Sequence, residues 1–276
     1  METELLLRQY CKRLRLPTFA AHYRRFAEDA ARENRPYERY LLALLEQEVQ
    51  QRAANQERRR IKAARFPVLY TLDTFDFTAI PNLNQTRILE LAQGHWITQH
   101  ENVILVGDVG TGKTHLAVSL AVAACRQGQR VRFYTAAGLV NELLEAQDDH
   151  RLGKLLASLM RQDLVVLDEL GFVPFNTRGA QLLFQFCSER YLRGSLLITT
   201  NLTFDRWGEL LGDPLLGGAL VDRLTHHCHV IEFRGQSFRF RQSLARQGGA
   251  QVTPATTTSP TQETEAPART PDAEEL

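Results

Sequence analysis

Apolar residues in the first part of the chain recur every three or four positions. This spacing places them on one side of a helix, so residues 1–65 are expected to form a small all-α domain. Pro36 stands where one helix would begin, and Thr18 is expected to cap an earlier one, since both residue types are favoured at helix N-termini. The apolar positions of the later helix are Leu41, Leu44, Leu45 and Val49.

From about residue 86 the pattern changes to short apolar runs rich in β-branched residues, separated by segments with helical spacing. Strands alternating with helices are typical of a mostly parallel sheet covered by helices on both faces. We therefore expect an α/β core over residues 66–246. Its predicted strands are 103–106, 131–135, 164–168, 195–200 and 229–233.

Residues 247–276 contain one valine, one leucine and no aromatic residue. Such a segment cannot bury enough apolar surface to offset the entropy lost on ordering, so we expect a disordered tail. It holds 1 Lys/Arg against 5 Asp/Glu and is therefore acidic.

Charge is distributed unevenly along the chain. The formal net charge is only +1, yet residues 1–65 hold 15 Lys/Arg against 9 Asp/Glu. A basic N-terminal domain indicates an anionic partner, and the phosphate backbone of DNA and a merely solvated helix face remain equal alternatives. The candidate DNA-binding residues are Arg52, Arg58, Arg59, Arg60, Lys62 and Arg65.

Composition and the N-terminal residues favour a globular protein over a membrane-spanning or secreted one. With 276 residues, 43% hydrophobic and 24% charged, the chain has the composition of a globular protein. No apolar run approaches the roughly 18 to 20 residues of a membrane-spanning helix, and charges interrupt the N-terminal leucines where a secretory signal would be apolar. We expect a cytoplasmic protein without membrane contact.

The four cysteines are widely separated and form no CxxC pair, which argues against a disulfide framework and a thiolate zinc site. The run HHCH at 226–229 is also an unsuitable metal site, because successive residues entering a strand point to opposite faces.

GDVGTGKT at 107–114 matches the phosphate-binding pattern G-x-x-x-x-G-K-[ST] between a predicted strand and a predicted helix. Its backbone N–H groups would converge on phosphate oxygens, Lys113 would place a charge near the outer phosphates, and the Thr114 hydroxyl could ligate Mg²⁺. His115 is expected to pack against the sheet. The candidate nucleotide-binding residues are Gly107, Asp108, Val109, Gly110, Thr111, Gly112, Lys113, Thr114 and His115.

Two further strand ends offer catalytic groups. Asp168, at the end of an apolar strand, would hold Mg²⁺ through its water shell, and Glu169 would polarise the attacking water. Asn201, after the next strand, would orient water and sense the γ-phosphate if that strand lies between the other two. An ordinary strand-end acid and a cap asparagine are the alternatives.

Arg223 and Arg239 flank the last predicted strand. An arginine supplied by a neighbouring subunit can stabilise charge on the γ-phosphate during hydrolysis. From the residues alone, such arginines cannot be distinguished from surface ion-pair formers, which are the more common case.

Together, KAARFPVLYTLDTFDF, GDVGTGKTHLA, LVVLDELGFVP, ITTNLTFDRWGE, ALVDRLTHHCHVIEF and GQSFR resemble the IstB-like transposition helper ATPases of bacterial insertion sequences. That family belongs to the AAA+ superfamily with the helicase loader DnaC and the initiator DnaA. The resemblance runs from about residue 5 to residue 245.

This resemblance implies a P-loop NTPase of the AAA+ type, with a five-stranded parallel sheet flanked by helices. It implies Arg223 as an arginine finger and Arg239 as a second sensor, and it places Phe75 and Phe77 over the adenine or in the core. Asp108 and Val109 replace the family's usual prolines, and we expect them to point outward.

In function, the resemblance implies hydrolysis of ATP with Mg²⁺ by a homo-oligomer on double-stranded DNA, which it presents to a transposase. Two alternatives remain open. One is a DnaC-like replicative helicase loader, and the other is a non-hydrolysing, nucleotide-gated interaction module.

Overall fold

The computed structural model of the chain describes residues 2–234 and Ser237. Its N-terminal part is helical, and the bounds are α1 Glu2–Arg13, α2 Pro17–Arg32 and α3 Tyr37–Ala64. Pro36 occupies the N-cap of α3, so the expected start of this helix is confirmed. The expected disordered tail at 247–276 lies outside the described residues.

The apolar positions of α3 divide between two environments. Leu44 is 2% exposed, whereas Leu41, Leu45 and Val49 are 51%, 45% and 65% exposed. The spacing therefore predicted the helix, but it did not predict which of its apolar side chains are buried.

Thr18 does not cap α2. The helix begins at Pro17, two residues earlier than a Thr18 cap would require, and Leu16 is its N-cap, because proline is already set to the helical φ at the first helical position. The Thr18 N–H instead donates to Glu48 Oε2 of α3 at 3.0 Å. A carboxylate from a neighbouring helix thus satisfies one of the N–H groups that the start of α2 leaves unpaired.

The last turns of α3 pack against the α/β part of the chain. Arg60 Nε donates a hydrogen bond to the Cys125 carbonyl at 2.8 Å. Arg132 Nη1 donates to the Ala63 carbonyl at 2.9 Å. Because Ala64 is fully buried, the end of α3 forms part of the core.

Five parallel strands follow in the described part of the chain, in the spatial order β2-β3-β4-β1-β5. This arrangement confirms the expected five-stranded parallel sheet, and each strand lies within two residues of its predicted bounds. The strands are β1 Asn102–Gly107, β2 Val131–Thr135, β3 Leu164–Leu170, β4 Ser195–Thr200 and β5 Cys228–Phe233.

Helices cover both faces of the sheet. Side chains of α4, α5 and α6 share one buried cluster with the end of α3, and those of α7 to α11 share the other. The remaining helices are α4 Gln85–Ala92, α5 His95–Thr98, α6 Lys113–Arg126, α7 Ala136–Asp148, α8 Leu152–Met160, α9 Thr177–Arg190, α10 Trp207–Leu211 and α11 Pro214–Thr225. Short 3-10 turns lie at Leu72–Thr74, Phe77–Ala79 and Phe204–Arg206.

No helix in the described ranges combines the length and the apolar character needed to cross a membrane.

Strand order determines where polar groups can meet. β4 lies between β3 and β1, as the expected role of Asn201 requires. Since all the strands are parallel, the carboxyl ends of β1, β3 and β4 lie side by side. The loop after β1, the acids of β3 and the asparagine after β4 therefore share one edge of the sheet.

Candidate nucleotide-binding site

The glycine-rich loop connects the end of β1 to the first residue of α6. Gly112 is the N-cap of α6 and has φ +94, a conformation that glycine adopts without strain. The first N–H groups of α6 lack helical partners and point toward the loop, which makes this helix start suitable for binding an anion.

Lys113 is buried, and its ammonium lies against the loop. Lys113 Nζ donates to the Gly107 carbonyl at 2.6 Å and to the Asp108 carbonyl at 2.7 Å. These contacts hold a positive charge inside the concave side of the loop, where phosphate oxygens would lie. Asp108 is exposed and Val109 is 53% exposed, so both side chains point outward, as expected.

The chain returns to this loop after β5. A Cβ built on Gly110, which has φ +80, would lie 2.1 Å from Ser237 Oγ. Ser237 therefore lies against the glycine-rich loop of its own chain. Arg239 itself lies outside the described residues, and its predicted role as a second sensor stays a prediction.

Thr114 and Asp168 meet at the base of the loop. The Thr114 hydroxyl donates to Asp168 Oδ1 at 2.9 Å, and Asp168 is 4% exposed. A hydroxyl beside a carboxylate offers the hard oxygen ligands that Mg²⁺ prefers, with its remaining positions left for water and substrate phosphates. The donor chemistry of these two residues therefore fits the predicted metal.

Glu169 follows Asp168 at a bulge in β3. The register between β3 and β4 shifts between Leu167 and Leu170, and Glu169 has φ +60, an unfavourable backbone conformation for a residue with a Cβ. A regular strand would turn consecutive side chains to opposite faces. The bulge changes the direction of the Glu169 side chain, which is exposed at the carboxyl edge of the sheet.

Asn201 immediately follows β4. Its Oδ1 atom is buried and has no hydrogen-bond partner among the described protein atoms. Buried polar atoms without partners are rare in folded proteins, so this acceptor is available to a donor such as the O–H of a water molecule. This is the feature expected of a side chain that orients water beside the γ-phosphate.

His115 packs on the segment before the sheet, and its predicted contact with the sheet stays a prediction. Its ring stacks on Tyr70 with centroids 4.2 Å apart and meets Phe75 edge-on at 5.2 Å. Thr74 Oγ1 lies 3.2 Å from His115 Nε2. Burial lowers the pKa of His115.

The same aromatic segment reaches the glycine-rich loop. A Cβ built on Gly112 would lie 3.5 Å from the Phe75 ring, and the Phe77 ring lies 4.9 Å from that of Phe75. Phe75 is 8% exposed and belongs to the core, while it also borders the loop. Both predicted roles for Phe75 are therefore compatible with its position, and the adenine contact stays a prediction.

Arg223 lies far from the phosphate loop of its own chain. The next residue, Leu224, accepts a hydrogen bond through its carbonyl from the Asn102 side chain, where β1 begins. The phosphate loop starts at the other end of β1. At the usual rise per residue of a strand, the two ends of β1 are about 16 Å apart. Arg223 donates to the Ser188 hydroxyl, and its guanidinium carbon lies 5.0 Å from the centroid of the Phe184 ring.

The basic residues at the end of α3 fall into two groups. Arg52 Nε donates to Glu48 at 2.7 Å and Arg60 donates to the Cys125 carbonyl, so both have partners within the chain. The other four side chains are exposed, namely Arg58, Arg59, Lys62 and Arg65.

The histidines of the HHCH run have separate partners. His226 Nδ1 lies 3.0 Å from the Tyr191 hydroxyl, and His229 Nε2 lies 2.7 Å from Glu101. Burial raises the pKa of the Cys228 thiol to about 12. These contacts give the run a packing role.

Thr199 and Tyr70 were missed by sequence reasoning. Thr199 contacts both acids of β3, and Tyr70 stacks on the histidine that follows the glycine-rich loop. The signal for Thr199 was a hydroxyl two positions before Asn201 on a buried strand. No local pattern marks Tyr70, because its partner lies 45 residues further along the chain.

Relatives of this chain occur in insertion sequences. A protein of insertion sequence IS5376 from Geobacillus stearothermophilus, named for ATP binding, is 37% identical over 241 residues, covering 87% of this chain and 96% of the relative. A similarly named protein of insertion sequence IS21 from Pseudomonas aeruginosa is 36% identical over 241 residues, covering 87% and 89% of the two chains.

Solved structures of AAA+ proteins share the fold. AMPPCP-bound DnaA from Aquifex aeolicus has a TM-score of 0.52 and 20% identity, covering 67% of this chain and 57% of DnaA. The DnaC helicase loader has a TM-score of 0.50 and 23% identity, covering 59% of this chain and 96% of the loader. The α/β part of the chain is thus an AAA+ fold.

The model of the IstB-like ATP binding protein family matches residues 9–246. With most of its length covered and relatives more than 30% identical over 87% of the chain, this protein belongs to the IstB-like ATP binding protein family.

Proposed function

We propose that this protein is an ATPase that assembles on double-stranded DNA and presents that DNA to the transposase of an insertion sequence. The observation that supports the proposal best is the meeting of four groups at one sheet edge. They are the glycine-rich loop with Lys113, the Thr114–Asp168 pair, Glu169 at its bulge, and the unpartnered Asn201 oxygen.

Binding of the triphosphate would rest on the loop and on α6. Lys113 already lies against the loop carbonyls, so its charge is in place before the ligand arrives. Thr114 and Asp168 would hold Mg²⁺, which when bound supplies positive charge against the phosphate oxygens. The N–H groups at the start of α6 add the partial positive charge of the helix terminus.

Hydrolysis would depend on Glu169 and Asn201. Glu169 is exposed at the edge of the sheet, where its carboxylate can accept a proton from an attacking water. The Asn201 amide would orient that water, since its buried oxygen has no partner among the described protein atoms. An intact Glu169 and Asn201 favour hydrolysis over a non-hydrolysing, nucleotide-gated module.

Arg223 would act on the nucleotide of a neighbouring subunit. It stands at the amino end of β1, and its own phosphate loop starts at the carboxyl end, so a contact within one chain is too long. An arginine supplied in this way can accelerate hydrolysis by roughly 10³ to 10⁵, which would couple turnover to assembly.

DNA contact is proposed for the exposed basic residues of α3. Residues 1–65 have an excess of six basic side chains over acidic ones, and the exposed members cluster at the helix end that joins the core. The partnered Arg52 and Arg60 are expected to contribute less, because their nitrogen atoms already donate within the chain.

A transposase is the favoured protein partner because the relatives come from insertion sequences. The helicase loader alternative is supported only by a shared fold with DnaC. A direct comparison would measure binding to the proposed cognate transposase and to the replicative helicase of the same cell. Binding to the helicase alone would favour the loader.

The ATPase assignment is tested by steady-state phosphate release with and without DNA. Glu169→Gln should retain ATP binding and lose turnover, because the amide cannot accept the proton. Glu90→Gln, which alters an exposed glutamate on α4, is the matched control and should hydrolyse ATP normally. Normal turnover in Glu169→Gln would show that the base lies elsewhere.

A further inference from the structure

The bulge in β3 places two residues of this strand opposite a single residue of β4. Leu167 is paired with Ile198, and Leu170 is paired with Thr200. Asp168 and Glu169 therefore both face Thr199 of β4. One ladder position is lost at this point, and the backbone N–H of Glu169 needs a partner other than a carbonyl of β4.

The Thr199 hydroxyl supplies that partner and contacts the second acid at the same time. Thr199 Oγ1 accepts a hydrogen bond from the Glu169 N–H at 2.9 Å and donates its own proton to Asp168 Oδ1 at 2.5 Å. A hydroxyl has a single proton to donate, so the direction of both bonds is determined. Thr199 is 1% exposed, and water does not compete for these contacts.

Both bonds act on groups whose direction matters for the proposed chemistry. Asp168 Oδ1 also accepts from Thr114, so the carboxylate is held from two sides. Glu169 has a left-handed backbone, which a residue with a Cβ adopts only when its surroundings hold it there. The contact that holds its N–H is the one from Thr199.

We propose that Thr199 is a positioning residue that sets the geometry of both acids. It stands on β4 two residues before Asn201, so displacement of the end of β4 would reach Glu169 through one hydrogen bond. The inference rests on the proposed hydrolytic role of Glu169. It adds a residue whose hydroxyl acts through the two acids.

The test removes the hydroxyl and keeps the side-chain shape. In the absence of Mg²⁺, Thr199→Val should bind ATP with nearly wild-type affinity. Its kcat should fall by about ten- to a hundredfold, because a misplaced Glu169 impairs the chemical step. Thr199→Ser keeps the hydroxyl and should restore most of the turnover. The increase in ATP affinity on adding Mg²⁺, measured by fluorescence titration, should be smaller in Thr199→Val than in wild type.

Ser195→Ala is the matched control. Ser195 is a fully buried hydroxyl at the opposite end of the same strand, so its loss should leave kcat unchanged. Thermal unfolding of every variant establishes that the fold is retained, and Thr199→Ala replaces Thr199→Val if the latter does not fold.

Each outcome separates the two proposals. If Glu169→Gln retains turnover, the proposed function of Glu169 fails. If Glu169→Gln is inactive but Thr199→Val hydrolyses ATP normally, only the role of Thr199 is overturned. It is also overturned if Thr199→Ser is as impaired as Thr199→Val, or if no variant without the hydroxyl folds, since the hydroxyl then serves the core.

Discussion

Four exposed basic side chains at the end of α3 should determine how DNA binding responds to salt. Arg58 and Lys62 are four residues apart, so they lie on one side of the helix about 6 Å apart along its axis, and Arg65 is the residue that ends the helix. Arg59 extends the same basic surface. This span is long enough to contact consecutive phosphates of a DNA strand.

The magnitude follows from counterion release. Each phosphate contact on duplex DNA contributes about −0.9 to the slope of log affinity against log salt, so four contacts contribute about −3.6. Replacing all four side chains by glutamine should flatten the slope by that amount. Between 50 and 200 mM salt, wild-type affinity should then fall about 150-fold more than that of the four-residue variant.

The matched control replaces Arg52 and Arg60 by glutamine. Both are basic residues of the same helix, but their side chains donate to Glu48 and to the Cys125 carbonyl. The slope of log affinity against log salt should change by less than the contribution of one phosphate contact. Fluorescence anisotropy with labelled duplexes of two unrelated sequences would measure all slopes, because phosphate contacts carry no base information.

A wild-type slope in the four-residue variant would refute DNA contact by these four side chains. DNA would then be held by other parts of the protein, and the N-terminal helices would serve another partner. An equal effect of the Arg52 and Arg60 pair would also contradict it, since the structure gives those two side chains internal partners.

Three further predictions follow from the structure. Lys113→Ala should nearly abolish ATP affinity in a fluorescence titration, while its thermal unfolding curve stays close to that of wild type. Lys154→Ala, which alters an exposed lysine on α8, is the control and should bind ATP normally. Arg223→Ala should bind ATP but hydrolyse it poorly. Mixing this variant with Lys113→Ala subunits should restore phosphate release, because each subunit supplies the group that the other lacks. If mixed assemblies form but phosphate release does not recover, Arg223 does not act at the neighbouring site. Burial acts to raise the pKa of Glu48, but hydrogen bonds from Arg52 and the Thr18 N–H outweigh it and hold the pKa below its usual value. The ionised carboxylate therefore stabilises the helical region above that usual value, and the contribution is lost as pH falls through the lowered pKa. Thermal unfolding of wild type should show this acid-side loss, whereas Glu48→Gln should be less stable at neutral pH and should lack it.

Local patterns predicted most of the secondary structure. The five strands lie where runs of β-branched residues occur, and α6 begins at the lysine of the glycine-rich pattern. These features depend on the side-chain periodicity of strands and helices and on the backbone freedom of glycine, which are properties of neighbouring residues.

Contacts between side chains on elements distant in the sequence could not be predicted from local patterns. Thr18 was predicted to cap a helix, but its N–H donates to Glu48 of α3, and the His115 ring stacks on Tyr70, 45 residues earlier in the chain. Arg58 and Arg60 are alike in the sequence, yet only Arg60 has a carbonyl partner on α6. Each difference depends on how helices pack, and packing leaves no periodic signal.

The candidate site shows the same division. The types and spacing of Lys113, Thr114, Asp168 and Asn201 indicated nucleotide chemistry from the sequence by itself. Only the tertiary structure decided that β4 lies between β1 and β3 and that a bulge brings the Asp168 carboxylate and the Glu169 N–H to a single hydroxyl. The physical reason is that strand order and register are set by contacts among residues far apart in the chain, which a local motif does not encode.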